Sequence, residues 1–382
     1  MNRRCLGLVG ILAAIMLAGC STPATRPDIP PPAPVGTPSP ATPASIATPP
    51  APVQPAPQPA PDSWDKLRAS FAMDDCGAPA AVAWAERETR HTQGFEAHLK
   101  ASLPVLDYIQ GVAAKNHVPG EFVLLPWIES HFRNVPPRRH RAAGMWQIMP
   151  ATARSSGLSM NRAYDARLDN IAATEMVMRM LNGYYQRWHD WRLVDMAYNA
   201  GPYAVQKAVA RKGPPAARPV IPKLPLGNTT RHHLTKLMAI ACVIRQPERF
   251  HVTLPKLDPA QRLQVVKLPV PTRLHQVARL AGLPTRTVRH LNAGYRLASV
   301  SANTPMQVLL PVDSAQSLRE AIAAGQMHAN DKPGIYIVNR GDSLWSIAER
   351  FNVKIDELQR WNDLDGSTVH PGQELSLTPP TS

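Results

Sequence analysis

The sequence contains no apolar run long enough for a confident transmembrane span, because the stretch from Leu6 to Leu17 is too short. Acidic residues are also scarce. The chain of 382 residues has 28 Asp plus Glu against 42 Lys plus Arg, a formal charge of +14. Such an excess indicates an anionic partner: nucleic acid, a membrane surface or an acidic polymer. No recognised nucleic-acid-binding motif accompanies the basic residues, which disfavours the first of these partners.

The N-terminus has the pattern of an export signal, which favours partners outside the cytoplasm: a membrane surface or an acidic cell-wall polymer. Arg3 and Arg4 precede the apolar stretch, and residues 17–20 (LAGC) resemble the lipobox of bacterial lipoproteins. The resemblance implies cleavage after residue 19 and a lipid on Cys20; the alternatives are an ordinary signal peptide or a short anchor. Ser21 is not an aspartate, which in that family implies a lipid-anchored protein on the periplasmic side of the outer membrane. Loss of the two arginines leaves 14 − 2 = +12 on the mature chain.

Cysteine is rare as well, with four in the chain: Cys5, Cys20, Cys76 and Cys242. Cys5 leaves with the signal peptide and Cys20 takes the lipid. The other two remain in a compartment that permits disulfides. The sequence does not show whether they lie close enough to pair, so bridged and free thiols are both open.

Residues 20–63 contain almost no charge and are mostly Pro, Ala, Thr and Ser. This composition cannot bury a core and predicts an extended tether after the 1–19 signal peptide. At about 3 Å per residue, roughly 40 residues reach on the order of 100 Å, enough to carry a folded part away from a membrane. The alternative is a passive spacer whose length does not matter.

Glu129 is the central candidate for catalysis. It ends the apolar run 122–128, and a charge at the end of a buried run is costly unless something satisfies it. A carboxyl group in that position is expected to keep its proton at neutral pH, as a general acid must. The alternative is a structural ion pair with a nearby arginine.

Three further motifs follow Glu129-Ser130 in the chain: Gly-Met-Trp-Gln at 144–147, Tyr-Asp-Ala-Arg at 164–167 and Ala-Tyr-Asn at 197–199. This ordered set resembles the lysozyme-like domain of the soluble lytic transglycosylases, from about residue 62 to about 255. The resemblance implies a mainly α-helical catalytic domain, which we place at 64–255. Apolar spacing predicts helices over 95–116 and 170–188, and we expect two more helices over 191–211 and 229–246.

In the resembled family the glutamate first protonates the glycosidic oxygen and then acts as a base toward a hydroxyl of the same sugar. Carried onto this chain, that catalytic residue is Glu129. The predicted substrate-binding residues are Ser130, Trp146, Gln147, Tyr198 and Asn199. Ser130 bonds the sugar or the carboxylate region, Gln147 holds an acetamido group, and Tyr198 donates to Glu129. Trp146 offers a flat face to a sugar or is a buried core residue, and Tyr198 and Asn199 have helix packing as their alternative.

No second carboxylate matches a catalytic position, although most glycosidases use two. Asp165 and Asp169 are candidates on residue type alone, and we expect Asp165 to cap a helix or pair with Arg167. The adjacent His232 and His233 point to different sides of a helix, so we interpret both as structural. The sequence therefore predicts no metal site and no cofactor.

The rest of the chain predicts two small α+β modules that resemble the LysM (βααβ) unit, a degenerate one at 256–330 and a clear one at 331–382. The resemblance implies binding to N-acetylglucosamine-containing glycans through Gly341, Asp342, Ser343 and Asn362. The alternative is that these residues only make caps and turns. The whole is a multi-domain protein with peptidoglycan strands and a membrane lipid anchor as partners and no nucleic acid. The sequence does not determine its oligomeric state.

The implied activity is cleavage of the β-1,4 bond between N-acetylmuramic acid (MurNAc) and N-acetylglucosamine (GlcNAc), leaving a 1,6-anhydro-MurNAc end. A muramidase that uses water is the alternative enzyme, because the residues do not separate the two reactions. A non-catalytic peptidoglycan-binding lipoprotein is the alternative from another class.

Overall fold

The computed structural model describes residues 62–74, 76–327, 335–351, 353–377 and 379. The signal peptide, Cys20 and nearly all of the tether fall in residues 1–61, outside this range, and stay predictions. Within the described ranges, no helix is both long enough and apolar enough to span a bilayer.

The first part of the described chain is helical. Its helices are α1 (Ser63–Ala69), α2 (Pro79–Glu88), α3 (Thr92–Lys115), α4 (Leu125–Ser130), α5 (Pro150–Ser155), α6 (Asn170–Trp188), α7 (Trp191–Ala200), α8 (Pro202–Lys212) and α9 (Asn228–Arg245). Short 3-10 turns lie at Gly120–Leu124, Pro247–Phe250 and Pro259–Gln261. The predicted mainly α-helical class is confirmed, and the helices expected at 95–116, 170–188 and 229–246 are present within a few residues.

The single helix expected over 191–211 is wrong, because the chain breaks at Gly201. This glycine has φ +85° and serves as C-cap of α7 and N-cap of α8, and Pro202 opens the second helix. Proline lacks the N–H that a helix interior needs but fits the first turn. The break places the end of α7, with Tyr198 and Asn199, next to a turn in the backbone.

Helix α9 is the centre of the catalytic-domain core, since every residue from His233 to Ile244 except Lys236 is buried. It packs against α2, α7 and the turn before α4. Apolar residues on all sides of a helix indicate burial on all sides. The functional side chains described below project from these same packed helices.

A second core belongs to a unit that follows the helical domain. Its elements are β1 (Leu263–Lys267), β2 (Thr272–Arg273), α10 (Leu274–Leu280), α11 (Thr285–Leu291), β3 (Ser299–Val300), β4 (Gln307–Pro311) and α12 (Val312–Ala323). Strands β1 and β4 pair antiparallel, with Leu263 opposite Pro311 and Lys267 opposite Gln307. Helices α10 and α11 lie between these strands in the chain, which is the expected strand–helix–helix–strand order.

The last unit repeats that order with β5 (Ile335–Ile337), α13 (Leu344–Phe351), α14 (Ile355–Trp361) and β6 (Glu374–Ser376). Strands β5 and β6 are antiparallel and register Tyr336 against Leu375. Its small core is formed by Val338, Leu344, Ile347, Ala348, Leu358 and Leu375. The predicted α+β modules are therefore confirmed.

One asparagine holds the same position in both units. Asn292, at the end of α11, donates to Val288 O and Leu309 O and accepts from Leu309 N. Asn362, at the end of α14, donates to Leu358 O and Ser376 O and accepts from Ser376 N. In each unit one side-chain amide joins the second helix to the closing strand, which supports an internal repeat.

The first of these units packs against the helical domain. The motif residues Tyr164 and Ala166 belong to the second core, and the Tyr164 ring lies 5.3 Å from that of Tyr295. Asp165 N donates to Gly294 O at 3.0 Å, and Asn170 Nδ2 donates to Leu291 O at 2.9 Å. The Tyr-Asp-Ala-Arg motif is thus the place where the two cores meet.

Candidate active site

Glu129 lies near the end of the short helix α4, at the rim of the apolar core. The residues before it, Phe122 to Trp127, are buried, whereas the Glu129 side chain is 17% exposed. Pro126 fits the first turn of α4, and the helix ends at His131, which adopts a left-handed conformation. The local sequence therefore buries the apolar run and leaves the carboxylate at the surface of the core.

His233 contacts Glu129 directly. Its Nε2 lies 2.9 Å from Glu129 Oε1, and its Nδ1 lies 2.9 Å from Asp195 Oδ1. Asp195 is fully buried on α7, and its second oxygen has no hydrogen-bond partner among the described residues. The interpretation of His233 as structural did not anticipate this contact, in which its ring joins the candidate catalytic carboxylate to a buried one. The alternative for Glu129, an ion pair with an arginine, is not found among the described residues, where its partner is this histidine.

The charges around His233 favour its protonated form. Burial by itself would lower the pKa of His233, but the Asp195 and Glu129 carboxylates outweigh it and raise the pKa to about 10. His232, the preceding residue, is exposed and lines the same open cleft as His233. One of the two adjacent histidines is therefore buried and the other exposed, and His233 is the one that bonds Glu129.

Tyr198 lies beside this group, with its ring stacked on His233 at 6.1 Å between centroids. Its hydroxyl donates to Trp146 O at 2.5 Å, so the predicted donation to Glu129 does not occur in this structure. A phenol has one hydroxyl proton to donate, and here it is donated to the Trp146 carbonyl in the Gly-Met-Trp-Gln loop. Burial raises the pKa of Tyr198 well above its ordinary value, and the Glu129 and Asp195 charges add to the effect.

Trp146 is fully buried, and its Nε1 donates to Thr174 Oγ1 at 3.1 Å. The predicted stacking on a sugar does not fit this placement, because neither face of the ring is open; the core alternative does. Ser130 is also buried and donates to Met145 O at 2.8 Å, which fixes the loop to α4 rather than pointing at a substrate. Gln147 is partly buried and donates to Gly144 O at 2.7 Å.

Asn199 is exposed at the end of α7, and its Oδ1 accepts from Thr230 Oγ1 at 2.9 Å. This bond joins α7 to the beginning of α9, the two helices that carry Asp195 and His233. An open cleft of about 460 Å³ lies here, lined among others by Trp84, Ile128, Asn199, Thr229, His233 and Lys236. The Lys236 ammonium lies 4.9 Å from the Trp84 ring centroid. Because Ile128 and His233 line it, the cleft reaches the group around Glu129.

Family models match the chain in three segments: "Transglycosylase SLT domain" over residues 107–221, "Lytic transglycosylase MltD, LysM-like domain" over 262–326 and "LysM domain" over 336–378. The chain carries an SLT domain followed by two LysM-type domains. The resemblance to the soluble lytic transglycosylase family is confirmed, and Glu129, Trp146 and Tyr198 fall inside the SLT segment.

Two curated relatives are each named "Membrane-bound lytic murein transglycosylase D", one from Escherichia coli (strain K12) and one from Escherichia coli O6:H1 (strain CFT073). Each is 34% identical to this chain over 285 residues, which is 72% of this chain. The chain spans 63% of the length of these relatives.

Asp165 and Asp169, the two aspartates considered as a second carboxylate, both make structural contacts in the SLT domain. Arg167 binds Asp165 through two nitrogens, with Nε–Oδ1 at 3.0 Å and Nη2–Oδ2 at 2.7 Å, as predicted for this pair. Asp169 caps α6 and accepts from the Tyr164 hydroxyl at 2.7 Å. Among the described residues, no group of three or more His, Cys, Asp or Glu is arranged to hold a metal ion.

In the second LysM-type domain, the candidate glycan-binding residues make caps and turns. Gly341 has φ +93° in the turn after β5, and Ser343 exchanges two hydrogen bonds with Ser346 at the start of α13. Asp342 accepts from Tyr336 and from Asn339 N and pairs with Arg350 at 3.4 Å. These contacts fit the structural alternative, and glycan contact by the same turn stays a prediction.

Two residues of the candidate active site escaped the sequence reasoning: Asp195 and His233. Asp195 lies inside the apolar run 193–197, so its charge, like that of Glu129, is costly to bury unless a partner satisfies it. Helical spacing places it one turn before Tyr198, on a similar face. For His233 the signal is weaker, because its partners are 38 and 104 residues away in the chain.

Proposed function

We propose that the protein is a peptidoglycan lytic transglycosylase that cleaves the MurNAc–GlcNAc β-1,4 bond and leaves a 1,6-anhydro-MurNAc end. The observation that carries the proposal is that only one of the two carboxylates bonded to His233 is accessible. Glu129 lies beside an open cleft, whereas the carboxylate linked to it, Asp195, is fully buried behind His233. The SLT match and the names of the two relatives support the same activity.

A single carboxylate suffices when the substrate supplies the nucleophile. Protonated Glu129 gives its proton to the glycosidic oxygen as the bond from that oxygen to C1 of MurNAc breaks. The MurNAc 6-hydroxyl oxygen then bonds to C1, and its proton returns to Glu129. No water is added, and the enzyme ends with the proton it began with.

The buried position of Asp195 argues against the glycosidase mechanisms that need a second carboxylate at the sugar. In inverting and retaining glycosidases, both carboxyl groups flank the scissile bond and reach water or C1. Asp195 has no exposed surface and points at His233 instead. A muramidase would need another residue to activate water, and a purely binding protein would not need the organised group around Glu129.

We further propose that the chain is lipid-anchored through Cys20 on the periplasmic side of the outer membrane. The lipobox-like residues and the relatives named as membrane-bound support this anchor. The tether then carries the SLT domain toward the wall, and the LysM-type domains hold glycan strands while Glu129 cuts them.

The test compares full-length wild type with Glu129→Gln on purified sacculi, with released muropeptides analysed by mass spectrometry. We expect anhydro-MurNAc ends from wild type and a loss of about 10³-fold or more in release by the variant, because the amide carries no transferable proton. Both proteins should sediment with the sacculi, which serves as the folding control. Reducing ends from wild type would establish a muramidase, and no release from wild type would reject the enzyme.

A further inference from the structure

The group Glu129–His233–Asp195 contains two more ionisable members than the proposed reaction uses. His233 is buried, its two ring nitrogens each lie 2.9 Å from a carboxylate oxygen, and the three residues come from α4, α9 and α7. Two hydrogen bonds, one buried to Asp195 and one partly buried to Glu129, fix both the position and the orientation of the ring. Burying these groups is costly, the more so because Asp195 Oδ2 has no hydrogen-bond partner among the described residues, which makes a purely accidental contact a poor explanation.

The chemistry of the three side chains determines where protons can be. Asp195 is a carboxylate with no access to water, so Nδ1 of His233 carries a proton and donates it to Oδ1. Nε2 then has two possible states. It donates to ionised Glu129 when the ring is an imidazolium, or it accepts from protonated Glu129 when the ring is neutral. The two states contain the same number of protons and differ by the transfer of one proton over a single hydrogen bond.

We propose that His233, held by Asp195, is a positioning residue that shares the catalytic proton with Glu129 and thereby extends activity to alkaline pH. The inference rests on the proposed transglycosylase function. In the reacting state the shared proton is on Glu129 and leaves to the glycosidic oxygen as the bond to C1 breaks. The proton of the 6-hydroxyl returns to Glu129, and His233 itself gains and loses nothing over the cycle.

The charged groups near His233 support a shared proton. Glu129 on α4 and Asp195 on α7 are the carboxylates that act on the ring, and Tyr198 on α7 stacks on it with its hydroxyl turned to Trp146. Arg87 on α2 and Lys236 on α9 line the same cleft. The two carboxylates raise the pKa of His233 to about 10, so the pair keeps one proton over a wide pH range.

The test is the pH dependence of muropeptide release by the full-length protein. The variants are His233→Gln, Asp195→Asn and, as a control, His91→Gln at an exposed position just before α3, which does not line the cleft. Wild type should retain activity until the pair loses its last proton, near pH 10. Without His233 the pair loses one of the two sites that hold the shared proton, so the alkaline limit should fall by about one pH unit or more. Asp195→Asn should lower the limit in the same direction, and His91→Gln should leave it unchanged.

A merely structural role would lower the rate equally at every pH, and an alkaline limit in His233→Gln equal to that of wild type would overturn the proposal. An NMR titration of the assigned His233 ring in the unsubstituted full-length protein covers the case in which variants do not fold. Deprotonation of the ring near pH 10 supports the shared proton, and deprotonation at or below the ordinary value of roughly 6.5 contradicts it. If wild type releases nothing from sacculi, the proposed function fails, while the titration still tests the proton pair independently.

Discussion

At the scale of single residues, the site depends on where a few polar groups are buried. Glu129 keeps some exposure at the rim of the core, whereas Asp195 has none. This difference in burial gives two chemically identical groups different roles, since only an exposed carboxylate can exchange a proton with a substrate. His233 connects them and carries the charge that a buried aspartate requires.

Gly144 in the Gly-Met-Trp-Gln loop is a residue that tolerates no side chain. It has φ +76°, and a Cβ there would lie 1.8 Å from Arg167 O. We predict that Gly144→Ala lowers the free energy of unfolding by about 3 kcal/mol or more, because strain and a backbone clash add. Urea denaturation measures the loss.

The matched control for that substitution is Gly157→Ala. Gly157 also has φ +76°, but an added Cβ would meet no atom within 4 Å. Backbone strain alone should cost about 1–2 kcal/mol there. Equal losses in both variants would show that the approach of Gly144 to Arg167 does not matter for stability.

At the scale of elements, the site is made by the packing of α7 and α9 against α4. Helix α7 contributes Asp195 and Tyr198, α9 contributes His233, and the Asn199–Thr230 bond joins their ends. A disulfide between Cys76 and Cys242, with Cα atoms 5.0 Å apart, joins α9 to the segment before α2. The pairing left open by the sequence is therefore present in the structure.

We predict that the Cys76–Cys242 bridge forms in the folded protein and stabilises it. In a chain with Cys5→Ser and Cys20→Ser, denaturation without reductant should expose no reactive thiol, and denaturation with reductant should expose both remaining ones. Reduction should lower the free energy of unfolding by about 2–5 kcal/mol. Two thiols titrated before reduction would contradict the prediction.

At the scale of the whole molecule, three cores follow one another along the described chain. The first two share a boundary at Tyr164, Ala166 and Gly294, while the last LysM-type domain has a core of its own. Each LysM-type domain holds its closing strand with one asparagine. The contacts between the first two cores indicate that the first LysM-type domain also supports the SLT domain.

We predict that deleting residues 331–382 lowers the affinity for sacculi by roughly tenfold or more, because a second attachment point is lost. Release of muropeptides from short soluble glycans should change little, since Glu129 and its partners lie outside the deleted part. Co-sedimentation measures the first quantity and mass spectrometry the second. Unchanged sedimentation would place glycan binding outside the second LysM-type domain.

The sequence alone was enough to predict the helical class, most helix positions and the two α+β units, and to name Glu129 as the candidate acid, because these depend on local periodicity and on short ordered motifs. It misplaced the break at Gly201, where one glycine followed by proline divides an otherwise continuous helical pattern. It also assigned substrate contacts to Ser130 and Trp146. Both are buried in the structure. Ser130 bonds Met145 O and Trp146 bonds Thr174, so these motif residues hold the Gly-Met-Trp-Gln loop in place.

Only the tertiary structure determined the partners of Glu129. His233 lies 104 residues from Glu129 in the chain, and Asp195 lies 38 residues from His233. Periodicity within one helix cannot predict contacts between residues so far apart in the chain. These contacts form when α4, α7 and α9 pack into one core. The sequence by itself determined which carboxylate is the candidate acid, and the packing of three helices determined which histidine bonds it.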